Sequence, residues 1–180
     1  MISDTKVVAI GGGTGLSTML KGLKLHTHNI TAVVTVADDG GSSGILRSDL
    51  GMLAPGDVRN CVSALAEVDP VMGELLNFRF KDGSLKGHSL GNLFLAALNE
   101  TSSSFDEAVK KFSHLTGVVG TVYPVTNESV TLSALLEDGR LIEGESHIGV
   151  HHDGPKNGIV KLMVNPEKPK AVDGVIKALE

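Results

Sequence analysis

The N-terminal stretch of this chain constrains its fold more than any other feature. Residues 6–10 have the sequence KVVAI, a short β-branched run that ends in four glycines within residues 11–15. Residues 16–25 then place leucine and methionine at helical spacing, and residues 30–37 (ITAVVTVA) form a second apolar run. Strand, glycine-rich turn, helix and strand in this order predict a right-handed βαβ unit with two parallel, buried strands.

The remainder of the chain predicts an α/β fold with a β-rich addition. Four further segments have helical periodicity, namely residues 57–67, 70–78, 88–100 and 105–115. Strands are predicted at residues 118–124, 130–136, 141–148 and 159–164, with a hairpin turn at Asp138-Gly139. We predict a Rossmann-like three-layer sandwich with a mostly parallel sheet, formed by residues 1–180 as one domain, and a β-hairpin extension within residues 118–165. Residues 171–180 predict a last helix. In an α/β fold such a helix is normally followed by a further parallel strand, so we expect the domain to be truncated before further C-terminal strands.

Composition excludes several classes of function. The formal net charge is −5 with no basic stripe, and aromatic residues make up 3% of the chain, so we expect no nucleic-acid partner. Cys61 is the only cysteine, which excludes a disulfide framework and a cysteine zinc site and favours a core position. No segment reaches the ~20 apolar residues of a membrane span and no signal peptide is evident, so we expect a cytoplasmic protein.

The glycine-rich turn is the first candidate ligand site. Its residues are Gly11, Gly12, Gly13, Thr14 and Gly15. Glycines allow the backbone to turn sharply and approach a phosphate, and the following helix offers free N–H groups. The alternative is a tight strand-to-helix turn without a ligand. The pattern lacks a strict G-x-G-x-x-G and a Walker lysine, which disfavours a standard NAD site and a P-loop kinase.

A second candidate site follows the second strand. The segment 38–56 is rich in glycine, serine and aspartate, and we predict a long functional loop there. Asp38 and Asp39 are suited to a ribose hydroxyl or to Mg²⁺ held with phosphate oxygens. Gly41, Ser42 and Ser43 begin a predicted anion-binding concavity of backbone N–H groups. The alternative is an Asx-type turn with solvated acids.

A third cluster, in the sequence PGDVRN, begins a predicted helix. Asp57 is the expected N-cap, while Arg59 lies in the first turn, where a cation opposes the helix dipole unless it has an anionic partner. Phosphate or Asp57 could be that partner, and Asn60 lies beside them. The alternative is an ordinary cap followed by a solvated arginine.

A fourth cluster crowds the start of the helix at residues 88–100. His88 and Asn92 are candidate ligand contacts, and His88 is also a candidate acid. The alternative is that Ser89 caps the helix and His88 lies on the surface. His151, His152 and Asp153 predict a solvated loop, because adjacent histidines rarely share a rigid metal site.

The four blocks taken together resemble a known family. GGGTGLS at 11–17, TVADDGGSSG at 35–44, PGDVRN at 55–60 and GHSLGNLFLAAL at 87–98 are similar, in order and spacing, to the bacterial gluconeogenesis factors (YvcK-type, UPF0052). The likeness covers essentially the whole chain. Family members usually continue past this length, with a further strand and another glycine-rich loop.

This resemblance implies a cytoplasmic protein that binds UDP-type nucleotide sugars and supports cell shape and wall synthesis during gluconeogenic growth. The family is related to the 2-phospho-L-lactate transferases of coenzyme F420 biosynthesis, in which the aspartates matching Asp38 and Asp39 lie at the ligand site. The resemblance carries over Gly11 to Gly15, Asp38, Asp39, Asn60, His88 and Asn92 as candidate contacts.

Three hypotheses follow for the function. The first is a regulatory protein that binds a phosphorylated nucleotide, such as a UDP-sugar, and signals to an unidentified protein partner. We favour it over an enzyme because no clear nucleophile or base stands beside the phosphate-binding backbone. The second is a Mg²⁺-dependent transferase related to 2-phospho-L-lactate transferase, with the metal at Asp38 and Asp39 and with His88 or Arg59 stabilising developing charge. The third is an NAD(P)-binding oxidoreductase. A homo-oligomer is compatible with each of them.

Overall fold

The computed structural model describes residues 4–150 and 157–180 of the protein. The predicted loop at His151, His152 and Asp153 lies outside these residues. The described strands are β1 (Val7–Gly11), β2 (Ile30–Val34), β3 (Thr121–Pro124), β4 (Thr131–Leu136), β5 (Leu141–Glu143) and β6 (Ile159–Asn165). The described helices are α1 (Gly13–Leu23), α2 (Gly41–Leu50), α3 (Gly56–Leu65), α4 (Pro70–Asn77), α5 (Leu90–Glu100), α6 (Phe105–Leu115), α7 (Glu145–Gly149) and α8 (Asp173–Leu179).

The main sheet has the order β1-β2-β3, and both pairs of strands are parallel. Val7 pairs with Ile30, and Thr31 pairs with Thr121. This confirms the predicted βαβ unit and the α/β class. β3 falls within residues 118–165 but belongs to the main sheet, so the separate β-rich unit consists of β4, β5 and β6.

Helices cover both faces of the main sheet. On one face α1, α3 and α6 bury Leu20, Val62 and Phe112 against the strands, and Cys61 lies in this core as predicted. On the other face α8 packs Val175 against the sheet. Gly174 allows that approach, because a Cβ at this position would lie 2.4 Å from the Tyr123 ring.

The β-rich unit is an antiparallel sheet of order β5-β4-β6. The predicted turn at Asp138-Gly139 joins β4 to β5, with Gly139 at a φ of +86°. The strand predicted at 141–148 is wrong beyond residue 143. Gly144, at a φ of +95°, ends β5, and the short helix α7 follows.

The long loop predicted at 38–56 is also wrong, because it contains the ten-residue helix α2. Gly51 ends this helix in the left-handed conformation at a φ of +63°. Gly44 allows its first turn to fold over the end of the main sheet, since a Cβ there would lie 2.1 Å from the Asp39 carbonyl oxygen. Gly44 is therefore needed for close packing and Gly51 for the left-handed end of α2.

The described part of the chain contains no helix that is both long enough and apolar enough to span a membrane.

Candidate functional site

Two glycine-rich bends lie at one edge of the main sheet. Gly11 pairs with Val34 at the carboxyl ends of β1 and β2, and the Thr35 amide donates to the Gly11 carbonyl at 2.9 Å. The run 11–15 and the segment 38–44 follow these two strand ends. In open α/β sheets this is the edge at which ligands bind.

A polar cavity of about 310 Å³ opens at this edge, between the first turns of α2 and α3 and the start of α5. It is lined by Asp38, Gly40, Gly41, Ser42, Ser43, Gly56, Asp57, Arg59, Asn60, Arg79 and Asn92. The first amides of a helix have no intrahelical acceptor and lie at the positive end of its dipole. The cavity therefore combines the N-terminal ends of α2 and α3 with two guanidinium groups.

The glycine run 11–15 does not line this cavity. The Gly13 amide donates to the Asp57 carboxylate at 2.6 Å, and a Cβ on Gly12 would lie 2.1 Å from the Thr35 Cγ2 atom. Thr14 accepts at its carbonyl from the Ser17 hydroxyl at 3.1 Å, within α1. In this structure the run serves to hold Asp57, which itself lines the cavity.

A buried hydrogen-bonded chain runs along the cavity wall. The Arg59 Nε donates to the Asn92 Oδ1 at 3.3 Å, which leaves the Asn92 Nδ2 to donate to the Ser42 hydroxyl at 3.0 Å. The Ser42 hydroxyl also meets the His88 Nδ1 at 2.9 Å. Because an arginine can only donate, it fixes the orientation of the Asn92 amide. Three of the sequence-predicted clusters therefore meet in one network.

His88 takes part in this network from behind the cavity. Its side chain is buried, so the surface position that we considered for it is wrong. Ser89 caps α5 as that alternative predicts, by accepting from the Asn92 amide at 3.2 Å. His88 contacts Ser42 and does not line the cavity.

Arg59 is the most constrained cation of the site. Its side chain is buried, with 7% of its surface exposed, and its Nη1 donates to the Asn77 Oδ1 at 2.8 Å. Burial lowers the pKa of the Arg59 guanidinium, and the nearby Arg79 cation lowers it further against the opposing charge of Asp57. The arginine is therefore held where its charge is poorly solvated.

Two carboxylates, those of Asp38 and Asp57, line the same cavity as these cations. Burial raises the pKa of Asp57, and the Asp38 carboxylate raises it further, although the Gly13 amide and the Arg59 charge oppose the change. Asp38 also accepts from the Gly40 amide at 2.9 Å, as in the Asx-type turn that we considered. Asp57 is not the N-cap that we expected, because α3 begins one residue earlier, after Pro55.

Asp39 points to a different part of the molecule. Its carboxylate accepts from the Ser146 amide at 2.8 Å, and it does not line the cavity. Within the described ranges no group of three or more His, Cys, Asp or Glu side chains is arranged to hold a metal ion. The Mg²⁺ predicted at Asp38 and Asp39 stays a prediction, and the carboxylate beside Asp38 in the cavity is that of Asp57.

The structure thus gathers half of the predicted residues around one cavity, namely Asp38, Gly41, Ser42, Ser43, Arg59, Asn60 and Asn92. Sequence reasoning did not name Gly40, Gly56 or Arg79 as ligand contacts, and it considered Asp57 as a cap or as a partner of Arg59. Arg79 reaches the cavity because it pairs with Ser89 in an antiparallel bridge. The sequence Lys81-Asp82-Gly83, which is typical of a turn, was the available clue that the chain reverses between these two residues.

The fold and the site define a Rossmann-like α/β protein with a cation- and amide-lined cavity at the carboxyl edge of its parallel sheet. The chain belongs to the family described as 2-phospho-L-lactate transferase CofD, whose model matches residues 7–180. The chain is similar to the gluconeogenesis factors of Bacillus subtilis (46% identity over 96% of this chain) and Halalkalibacterium halodurans (44% over 96%). These matches confirm the resemblance found in the sequence.

A solved structure agrees with the fold. The crystal structure of a UPF0052 family member from Bacillus halodurans matches 97% of this chain, with a TM-score of 0.90 and 42% identity. The match covers 56% of that chain, and the Bacillus subtilis match covers 55% of that protein. The present chain therefore spans about half the length of these relatives.

Proposed function

We propose that the cavity between α2, α3 and α5 binds the phosphoryl groups of a nucleotide sugar of the UDP type, and that the protein acts as a regulatory binding protein. The buried guanidinium of Arg59 is the observation that carries this proposal. The relatives' name, gluconeogenesis factor, is compatible with a regulatory role.

A buried arginine needs an anionic partner more than an exposed one does. Desolvating an unpaired charge costs several kcal/mol, and neutral hydrogen bonds return only part of that cost. Arg59 has the amide oxygens of Asn77 and Asn92 as partners, and across the described residues no carboxylate lies within 4.0 Å of it. Arg79 adds repulsion. A phosphoryl group would neutralise both cations.

The rest of the cavity also suits phosphate. The first turn of α2 supplies amides, and both helices direct the positive ends of their dipoles to the cavity, while the Gly56 amide of α3 already donates to the Ser43 hydroxyl at 3.2 Å. Ser42 and Asn92 supply neutral polar groups. The cavity lies at the lower end of the usual range for ligand pockets, roughly 300–1,000 Å³. It suits the diphosphate better than an entire nucleotide sugar, so the base and sugar would extend beyond it.

Isothermal titration of the purified protein tests this proposal. UDP-glucose, UDP and inorganic pyrophosphate should each bind, with and without Mg²⁺, and Arg59→Met should weaken all three. Absence of heat with all three ligands under both conditions would refute the proposal.

A second candidate function is a Mg²⁺-dependent transferase acting on a phosphorylated or nucleotide-activated substrate. The family description favours it, and so does the position of Asp38 and Asp57 on the cavity wall beside Arg59. Mg²⁺ is commonly held by one or two carboxylates together with substrate phosphates, and this pair fits that donor set. Turnover that disappears in Asp38→Asn and Asp57→Asn while binding survives would favour the transferase. Binding without turnover across candidate donors would favour the regulatory protein.

An NAD(P)-dependent oxidoreductase has less support. Its pyrophosphate would be expected at the run 11–15, where the Gly13 amide already donates to Asp57. Titration with NADH, followed by cofactor fluorescence, tests this directly. The role in cell shape, the protein partner and the oligomeric state stay part of the proposal that the family resemblance motivates.

A further inference from the structure

The Asp39 carboxylate joins the two sheets of the protein. It accepts from the amide of Ser146, at the start of α7. This helix lies between β5 and β6 in the chain, and the β-rich unit together with α7 is called the antiparallel unit. Gly144 packs against the same carboxylate, and a Cβ there would lie 2.5 Å from the Asp39 Oδ2. Ser146 also lies close to Gly40, since a Cβ on Gly40 would be 3.7 Å from that of Ser146. Gly40 lines the cavity.

The hydrogen bond between Ser146 and Asp39 replaces the side-chain cap that α7 lacks. Ser146 lies in the first turn of this helix, where an amide has no intrahelical acceptor. The N-cap residue is Gly144, which has no side chain to accept the bond. The Asp39 carboxylate, 107 residues away in sequence, takes the place of the missing cap. Protection of the Ser146 amide therefore depends on Asp39.

The charge state of Asp39 agrees with this role. Partial burial alone would raise its pKa, but the hydrogen bonds from Ser146 and the charges of Arg47 and His147 outweigh that effect and lower it. The ionised carboxylate is the form that the antiparallel unit stabilises.

A second tether connects the same parts of the molecule. The Arg47 Nη1 donates to the carbonyl oxygens of Ala37 and Asp38, both at 3.1 Å, while the Nη2 donates to that of Val130 at 2.8 Å. Arg47 belongs to α2, whose first turn lines the cavity. The segment after β2 is thus attached to the antiparallel unit at two separate points.

We infer that Asp39 is a positioning residue that couples the phosphate cavity to the antiparallel unit through Ser146, and that it does not itself contact the ligand. A ligand that fixes Gly40 and the first turn of α2 would strengthen the Asp39–Ser146 contact. By reciprocity that contact strengthens ligand binding by the same factor. Only the ligand part of this inference rests on the proposed function.

Two pairs of variants test the inference. In Asp39→Asn the side-chain oxygen can still accept from Ser146, whereas in Asp39→Ala it cannot. Gly144→Ala disrupts the contact through its Cβ, which would meet the Asp39 carboxylate, and it replaces neither Asp39 nor a residue that lines the cavity. Gly139→Ala is its matched control, because Gly139 also has positive φ in the antiparallel unit but a Cβ there meets nothing within 4 Å.

Amide hydrogen exchange at Ser146 is the first readout, measured without ligand. Exchange should accelerate at least tenfold in Asp39→Ala and Gly144→Ala and stay near the wild-type rate in Asp39→Asn and Gly139→Ala. The second readout is affinity for UDP-glucose by isothermal titration. It should fall on the order of 5- to 20-fold in the first two variants and change less than twofold in the other two. Circular dichroism and urea midpoints monitor folding of each variant.

Either readout can overturn the inference. Unchanged exchange of Ser146 in Asp39→Ala would show that the carboxylate does not hold α7. Equal losses of affinity in Asp39→Asn and Asp39→Ala would show that the charge acts directly on ligand or metal. If the wild-type protein binds no UDP-glucose, the proposed ligand is wrong, and exchange without ligand still decides whether Asp39 holds α7.

Discussion

Replacement of Arg59 by methionine should separate binding from stability. Methionine keeps much of the volume of the side chain but removes its charge and its hydrogen bonds to Asn77 and Asn92. Because the donor is charged, each of these bonds contributes about 1.5 to 3 kcal/mol. Part of that is recovered because the buried guanidinium no longer has to be desolvated. We therefore expect the free energy of unfolding to fall by only about 1 to 2 kcal/mol.

The Arg59→Met substitution should weaken ligand binding more than it weakens folding. A hydrogen bond from a charged donor to a phosphoryl oxygen contributes about 2 to 3 kcal/mol, so the Kd for UDP-glucose should rise on the order of 30- to 150-fold. Isothermal titration gives the Kd, and urea denaturation gives the free energy of unfolding. Arg140→Met is the control, because Arg140 is an exposed arginine paired with Asp138 on a turn of the antiparallel unit. A Kd within threefold of wild type for Arg59→Met would refute the reasoning.

Three further predictions concern the surroundings of the cavity. Folding raises the pKa of Asp57 above its ordinary 3.8, so the folded protein binds this proton more tightly than the unfolded chain does. The resulting stabilisation is fully present below pH 3.8 and is lost as the pH rises through the pKa of the folded state. Asp57→Asn should remove this loss. In urea denaturation between pH 4 and 7, the free energy of unfolding of the variant should therefore rise relative to that of the wild type as the pH rises; parallel curves would contradict the raised pKa of Asp57. Gly12→Ala should destabilise the fold by about 1 to 3 kcal/mol because its Cβ would meet Thr35, whereas Gly15→Ala, with nothing within 4 Å of its Cβ, should stabilise α1 by about 0.5 to 1 kcal/mol. Thermal denaturation measures both, and equal changes would count against the packing argument. Burial, with a smaller contribution from the Asp57 charge, raises the pKa of Cys61 to about 12, so iodoacetamide should leave this thiol unmodified at pH 8 in the folded protein; rapid labelling would contradict its core position.

The sequence predicted the elements whose signals are local. The β-branched runs before residues 11 and 38 became β1 and β2, and the parallel pairing of these strands followed from the helix between them. The amphipathic segment 105–115 became α6 at the predicted bounds. In each case the residues that define the element also form its buried face.

The features that the sequence did not predict depend on contacts between residues that are far apart in the chain. Glycine and serine dominate the start of α2 and predict a loop, whereas in the structure Ser43 accepts from the Gly56 amide and Arg47 donates to the carbonyl of Val130. Asp57 contacts Gly13 across 44 residues, so its role in the site could not be found from its position beside a helix start. Asp39 differs from Asp38 only in where its side chain points.

A crystal structure of the protein with UDP-glucose at saturating concentration tests the central claim most directly. The account predicts diphosphate density between the first turns of α2 and α3, within hydrogen-bond distance of the Arg59 guanidinium. Diphosphate density against the glycine run 11–15, with Arg59 still bonded only to Asn77 and Asn92, would contradict it.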